Sequence, residues 1–185
     1  MTTESNEAPG RLDLVRDFVN TLDLPDGPDR LEGLEQAAAW CRERGLPLPS
    51  NQEETDWLRQ FREALRALIY ANNGEGELGP AWERFSQFLR DVRLSIAVDA
   101  AGQPSLVAAC GGVDATVAAL ATIVYDAVSD KTWPRLRACR KSTCRFAYYD
   151  RSKNGSRAWC SMAVCGNREK AQRRRKRERQ EHVHG

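Results

Sequence analysis

The sequence has no apolar run approaching the ~20 residues that a bilayer-spanning helix needs. Its first residues, Met1 to Gly10, are acidic and polar, without the basic patch and apolar stretch of a signal peptide. Both absences lead us to expect a cytoplasmic protein with no membrane partner. Histidine is scarce: the chain has 2, His182 and His184, both near the end. No nucleophile or acid–base arrangement stands out, so an enzyme is not expected. There is no internal repeat. A hydrophobic fraction of 41% with 29% charged residues excludes a disordered or collagen-like chain. The 6 cysteines, without an export signal, are expected to be thiols or metal ligands rather than disulfides.

The net charge of +2 hides a division. Residues 133–185 carry 16 Lys/Arg against 4 Asp/Glu, whereas residues 1–132 carry 12 against 22. Four of the cysteines, Cys139, Cys144, Cys160 and Cys165, lie in the basic third. Two domains are expected, 1–132 and 133–185, with a boundary near Trp133-Pro134. A basic third invites a polyanion. The alternative is that the two parts neutralise each other by packing together.

The acidic part reads as mostly helical. Leu12, Val15, Phe18, Val19 and Leu22 form a stripe at helical spacing. Leu24-Pro25-Asp26-Gly27-Pro28 ends it. Asp29 is expected to cap a helix from Arg30 to about Arg44, stopped by Gly45. Ser50 or Asn51 caps a longer helix, about Glu53 to Ala71, and Trp82, Phe85, Phe88 and Leu89 mark another. Leu94–Val98 and Ser105–Ala109 read as a β-hairpin, and Ala115–Val128 as a small-residue helix. Asp17, Asn20 and Thr21 cluster at the end of the first helix. They form a candidate small-molecule pocket, although capping and turn-making explain the same residues. Cys41 and Cys110 are isolated and are expected to be free thiols.

The basic third is more specific. Cys139-x4-Cys144, a gap of fifteen residues, then Cys160-x4-Cys165 is the pattern of a four-thiolate zinc site. Each tight turn brings two thiolates to adjacent tetrahedral corners, and a hairpin between the pairs closes the set. Arg145–Asp150 is expected as one strand, Asn154-Gly155 as the turn and Ser156–Trp159 as the return strand. Four thiolates leave no open position for water, so the metal is structural. The expected fold is α+β: a helical first domain with a small hairpin, then a treble-clef finger with a long basic helix.

That helix follows the last cysteine. It is polar on every side and has no face to bury in a core. Lys170, Arg173, Arg174, Arg175, Lys176, Arg177 and Arg179 suit phosphate contacts. Arg168 lies three residues after Cys165 and has the fork to read a guanine edge. Pairing with a metal-bound thiolate or with Asp150 is the competing role for Arg168. For the run as a whole, the competing reading is a solvated tail.

Cys160-Ser-Met-Ala-Val-Cys165-Gly-Asn-Arg168, preceded by Asn154-Gly-Ser-Arg157 and Trp159, closely resembles the CGNR zinc-finger family. Asp17-Phe-Val-Asn-Thr21, with Leu31–Gly45 after it, resembles the ABATE domain that accompanies this finger. The resemblance implies a bacterial stress-response transcription regulator. It implies zinc held by Cys139, Cys144, Cys160 and Cys165; with the basic helix, double-stranded DNA is the expected partner. The acidic domain is then expected to sense a small molecule or a protein. RNA binding, with bases stacked on Tyr148, Tyr149 and Trp159, and a protein adaptor using the basic helix are the alternatives. Oligomeric state is not read from the sequence.

Overall fold

Asn51 starts the longest helix of the acidic part. Its side chain accepts the Glu54 backbone N–H at 2.9 Å, and the Glu54 carboxylate takes the Ser50 N–H at 2.7 Å, a reciprocal cap. The computed structural model describes residues 6–24 and 27–183. Pro25 and Asp26 of the expected turn, and His184, lie outside the described residues.

Among the described residues the acidic part holds five helices: α1 (Leu12–Val19), α2 (Leu34–Glu43), α3 (Gln52–Ala71), α4 (Leu78–Gln87) and α5 (Gly112–Ser129). Phe18, Phe61, Leu65 and Leu120 lie fully buried where α1, α3 and α5 meet. α2 begins later than expected, because Asp29 does not cap it. The Asp29 carboxylate instead accepts the Leu31 N–H at 2.9 Å and pairs with the buried Arg62 of α3. Gly45 does end α2 in the left-handed region, at φ 64°. Strands β1 (Leu94–Val98) and β2 (Pro104–Ala108) form the expected antiparallel hairpin.

Helix α5 corrects the expectation that no stretch comes near a membrane span. Its 18 residues have a mean hydropathy of 1.3, enough by length and composition. With 61% of that window buried inside the fold, it serves as a core helix.

The basic third enters the same core. Trp133, Leu136, Ala138 and Ala147 belong to the hydrophobic cluster that holds Phe18 and Leu65. Strand β3 (Leu136–Ala138) pairs antiparallel with β4 (Ala147–Tyr149), Leu136 opposite Tyr149 and Ala138 opposite Ala147. This differs from the hairpin expected across Asn154-Gly155. The turn exists, with Gly155 at φ 58° and its N–H on the Ser152 carbonyl at 3.2 Å. Ser156–Trp159, however, is not a strand. β4 pairs with β3 because Leu136 and Ala138 add buried apolar surface beside Ala147, which Ser156 and Arg157 do not.

Candidate metal centre and basic helix

Strand β3 delivers Cys139 directly to the first knuckle. The Cys139 N–H bonds to Phe146 O at 2.9 Å, and the Cys144 N–H to Lys141 O at 2.9 Å. Arg145 then turns the chain at φ 51°, a left-handed conformation unusual for a side chain of its size. It is held there from the acidic part. Its guanidinium lies 3.5 Å from the centre of the Tyr70 ring, and its carbonyl accepts from Arg66 at 3.2 Å.

The second knuckle is a π-helical turn, Met162–Gly166, with the Gly166 N–H on Ser161 O five residues back at 3.1 Å. The Ser161 hydroxyl accepts the Val164 N–H at 3.3 Å. A Cβ on Gly166 would displace the flexible, exposed Met162 side chain and lie 3.1 Å from the Trp159 ring, so the turn passes close under both. Asn167 bonds the knuckle as its position after Gly166 suggests, its amide donating to Ala163 O at 3.2 Å.

These two turns bring the four sulfurs within 4.8 Å of one another. Cys144 and Cys160, and Cys160 and Cys165, are each 3.7 Å apart. A tetrahedron with metal–sulfur bonds of about 2.3 Å has an edge of about 3.8 Å, so the set is arranged to bind a metal. The Cys139 sulfur is drawn toward thiolate by hydrogen bonds from Cys144 and Cys160, which raises the Cys144 and Cys160 thiols in turn. Backbone N–H groups of Cys160 and Lys141 serve the Cys139 sulfur, and that of Phe146 serves Cys144.

The CGNR zinc-finger family model matches residues 135–178. The model for ABATE, described as "Putative stress-induced transcription regulator", matches residues 12–130. The chain belongs to the ABATE family and carries a CGNR zinc finger. Comparison with curated proteins gives no match.

In this ABATE protein the finger continues into α6 (Asn167–Val183), which runs on directly from the π turn. Arg168, Lys170, Arg174, Arg175 and Arg179 are exposed, and Arg174 pairs with Glu178 at 2.7 Å. The side chains of Arg173, Lys176, Arg177 and His182 lie outside the described residues. Arg168 borders a cavity beside Cys144, Cys160 and Cys165. Asp150 is engaged elsewhere: fully buried, it accepts the N–H groups of Ser152 at 2.9 Å and Arg157 at 3.0 Å.

Asp17, Asn20 and Thr21 go separate ways. Asp17 pairs with Arg16 at 2.6 Å. Thr21 donates to Phe18 O at 2.8 Å and accepts from Arg62 at 3.2 Å. Asn20 reaches the finger, giving its amide N–H to Ala147 O at 2.9 Å and accepting the Ala147 N–H at 2.7 Å. Sequence reasoning also missed Asn72 and Asn73. Asn72 donates to the carbonyls of Trp133 and Leu136, each at 2.9 Å, and Asn73 donates to Ala138 O at 2.7 Å. Their asparagine-glycine context read only as a loop.

Two predictions arise here. Cys41 is fully buried on α2, and burial pushes its thiol up to about 11; Cys110 donates to Arg93 O at 3.6 Å. Alanine at either position should leave the metal content per chain unchanged by elemental analysis. Second, for both Asp29 and Asp150 burial acts to raise the carboxyl. Hydrogen bonds and arginine charge outweigh it and hold both below the usual carboxylate range. Groups shifted this way stabilise the fold fully above their unfolded value and lose that contribution as pH falls through the folded one. Stability should therefore be level above pH ~5 and fall steeply below pH ~4, a fall that Asp29→Asn makes shallower in urea melts.

Proposed function

We propose that the chain is a zinc-dependent, DNA-binding transcription regulator acting in the cytoplasm of a bacterium under stress, its acidic domain sensing a ligand or partner. A catalytic role is not part of this reading. Zinc follows from the donors: four thiolates in a closed tetrahedral set favour it over cations that prefer oxygen. When bound, the ion would clamp the two knuckles through Cys139, Cys144, Cys160 and Cys165.

One observation carries the DNA reading. A helix of 17 residues, polar on all sides and dense in arginine, continues from a metal knuckle. It brings no apolar stripe to a core, and the knuckle orients its first turn. Such a helix suits the major groove, with the distal arginines on phosphates and Arg168 near the base edges. Base stacking is less well served, because Tyr148 is fully buried with its hydroxyl on Arg157 O at 2.6 Å.

The test is salt dependence. Replacing Arg173, Arg174, Arg175, Lys176 and Arg177 by glutamine should weaken binding to all duplexes alike. For every phosphate that the helix no longer neutralises, the slope of log affinity against log salt should flatten by about 0.9. An unchanged slope would move the binding surface elsewhere. Arg168→Lys, which keeps charge but not the fork, should bring preferred and scrambled duplexes together in affinity.

A further inference from the structure

A cavity of about 370 Å³ lies on the seam between the acidic domain and the finger. Asp23 and Leu24 close it from the acidic side; Lys141 and Phe146 of the first knuckle and Val164 and Arg168 of the second close it from the other. Its volume falls in the lower range of small-molecule sites. Leu24, Phe146 and Val164 give it apolar walls, and Lys141 and Arg168 give it two cations.

Other cations at the base of the finger are engaged. Arg140 pairs with Glu75 at 3.1 Å, Arg145 lies on Tyr70, Arg135 donates to the carbonyls of Asp150 and Ser152, and Arg157 donates to Asn6 at 2.6 Å. Among the described residues, neither Lys141 nor Arg168 has an ion pair. Cys144, Cys160 and Cys165 line the floor of the cavity, and the Cys144 sulfur receives the Phe146 N–H. Two uncommitted cations over apolar walls recognise an organic acid, and the Asp23 carboxylate on the same wall would accept a donor from it.

We propose that this cavity binds a small organic acid with an apolar body and a hydrogen-bond donor, its anionic group held by Lys141 and Arg168. Binding takes Arg168 away from nucleic acid, so ligand and DNA compete. This second step rests on the DNA reading above; the site itself does not.

The zinc-loaded full chain, with leucine and valine methyls labelled, is titrated with 4-hydroxybenzoate and, as the neutral control, 4-hydroxybenzyl alcohol. Saturable shifts are expected at the methyls of Leu24 and Val164. The alcohol should bind the natural chain, and the acid should bind Lys141→Gln, at least about tenfold more weakly than the acid binds the natural chain. Leu24→Trp fills the cavity and should abolish the shift at Val164 while metal content and circular dichroism stay intact. No saturable shift, equal binding of acid and alcohol, or full affinity in Lys141→Gln would overturn the site. At saturation the acid should lower duplex affinity of the natural chain but not of Leu24→Trp. If duplex binds and the acid leaves its affinity unmoved, the competition is wrong. If no duplex binds at all, the DNA reading and the competition fall together, and the methyl shifts still decide the site.

Discussion

Cys144→Ser should bring the metal content from one ion per chain to below about 0.2, since removing one ligand opens a closed tetrahedral set. The larger effect is on structure beyond the knuckles. Structural zinc supplies about 10–16 kcal/mol in isolated fingers, which are unfolded without it. Here the consequence should be local. β3 and β4 sit in the common hydrophobic core, and Asn20, Asn72 and Asn73 bind their backbone from α1 and the end of α3. Arg157 ties the start of the second knuckle at the Trp159 and Cys160 carbonyls, whereas α6 runs on from the π turn that contains Cys165. A polar helix of 17 residues is marginal by itself in water. The variant, or the natural chain in chelator, should therefore lose the helical signal of α6 and resist proteolysis up to about residue 150. Full metal content in Cys144→Ser would place the ion elsewhere. Collapse of α1–α5 with the knuckles would show that the metal, not the core, holds the finger in place.

Asn20→Ala should be a strongly destabilising change at the join between the two parts. Asn20 spans 127 residues to satisfy both the N–H and the carbonyl of Ala147, and Ala147 is fully buried. Alanine leaves two backbone groups without partners. At about 1–2 kcal/mol each, the loss should be about 2–4 kcal/mol. For a chain of this length that lowers Tm by about 4–15 °C, measured as one transition because the two parts share a core. Asn20→Asp keeps the acceptor and loses the donor, and should fall between. A loss below about 0.5 kcal/mol for Asn20→Ala would mean that this pair of hydrogen bonds adds little to the union of the two parts.

Much of this was legible in the chain. The four ligands follow from two x4 spacings, because a short turn can only bring its ends together. The helical stripes of α1 and α3, the Asn51 cap, the Gly45 stop and the β1–β2 hairpin are local signals, settled by neighbours within a few residues. The polar character of α6 is likewise written in its composition.

What the sequence withheld is every long-range partner. Asn20 read as a helix end or pocket residue, Asn72 and Asn73 as loop, and Asp29 as a cap. In each case the residue type announces a polar group that needs satisfying, but not which backbone will satisfy it. The charge division between residues 1–132 and 133–185 is plain in the chain, but not that Leu136, Ala138 and Ala147 pack into the core of the first part. β4 chose β3 over Ser156–Trp159 for the same reason. Ligand spacing, period and charge act over a turn or two of chain and can be read directly. Strand partners and buried hydrogen bonds depend on which apolar surfaces meet after the chain has folded, and only the tertiary structure decides that.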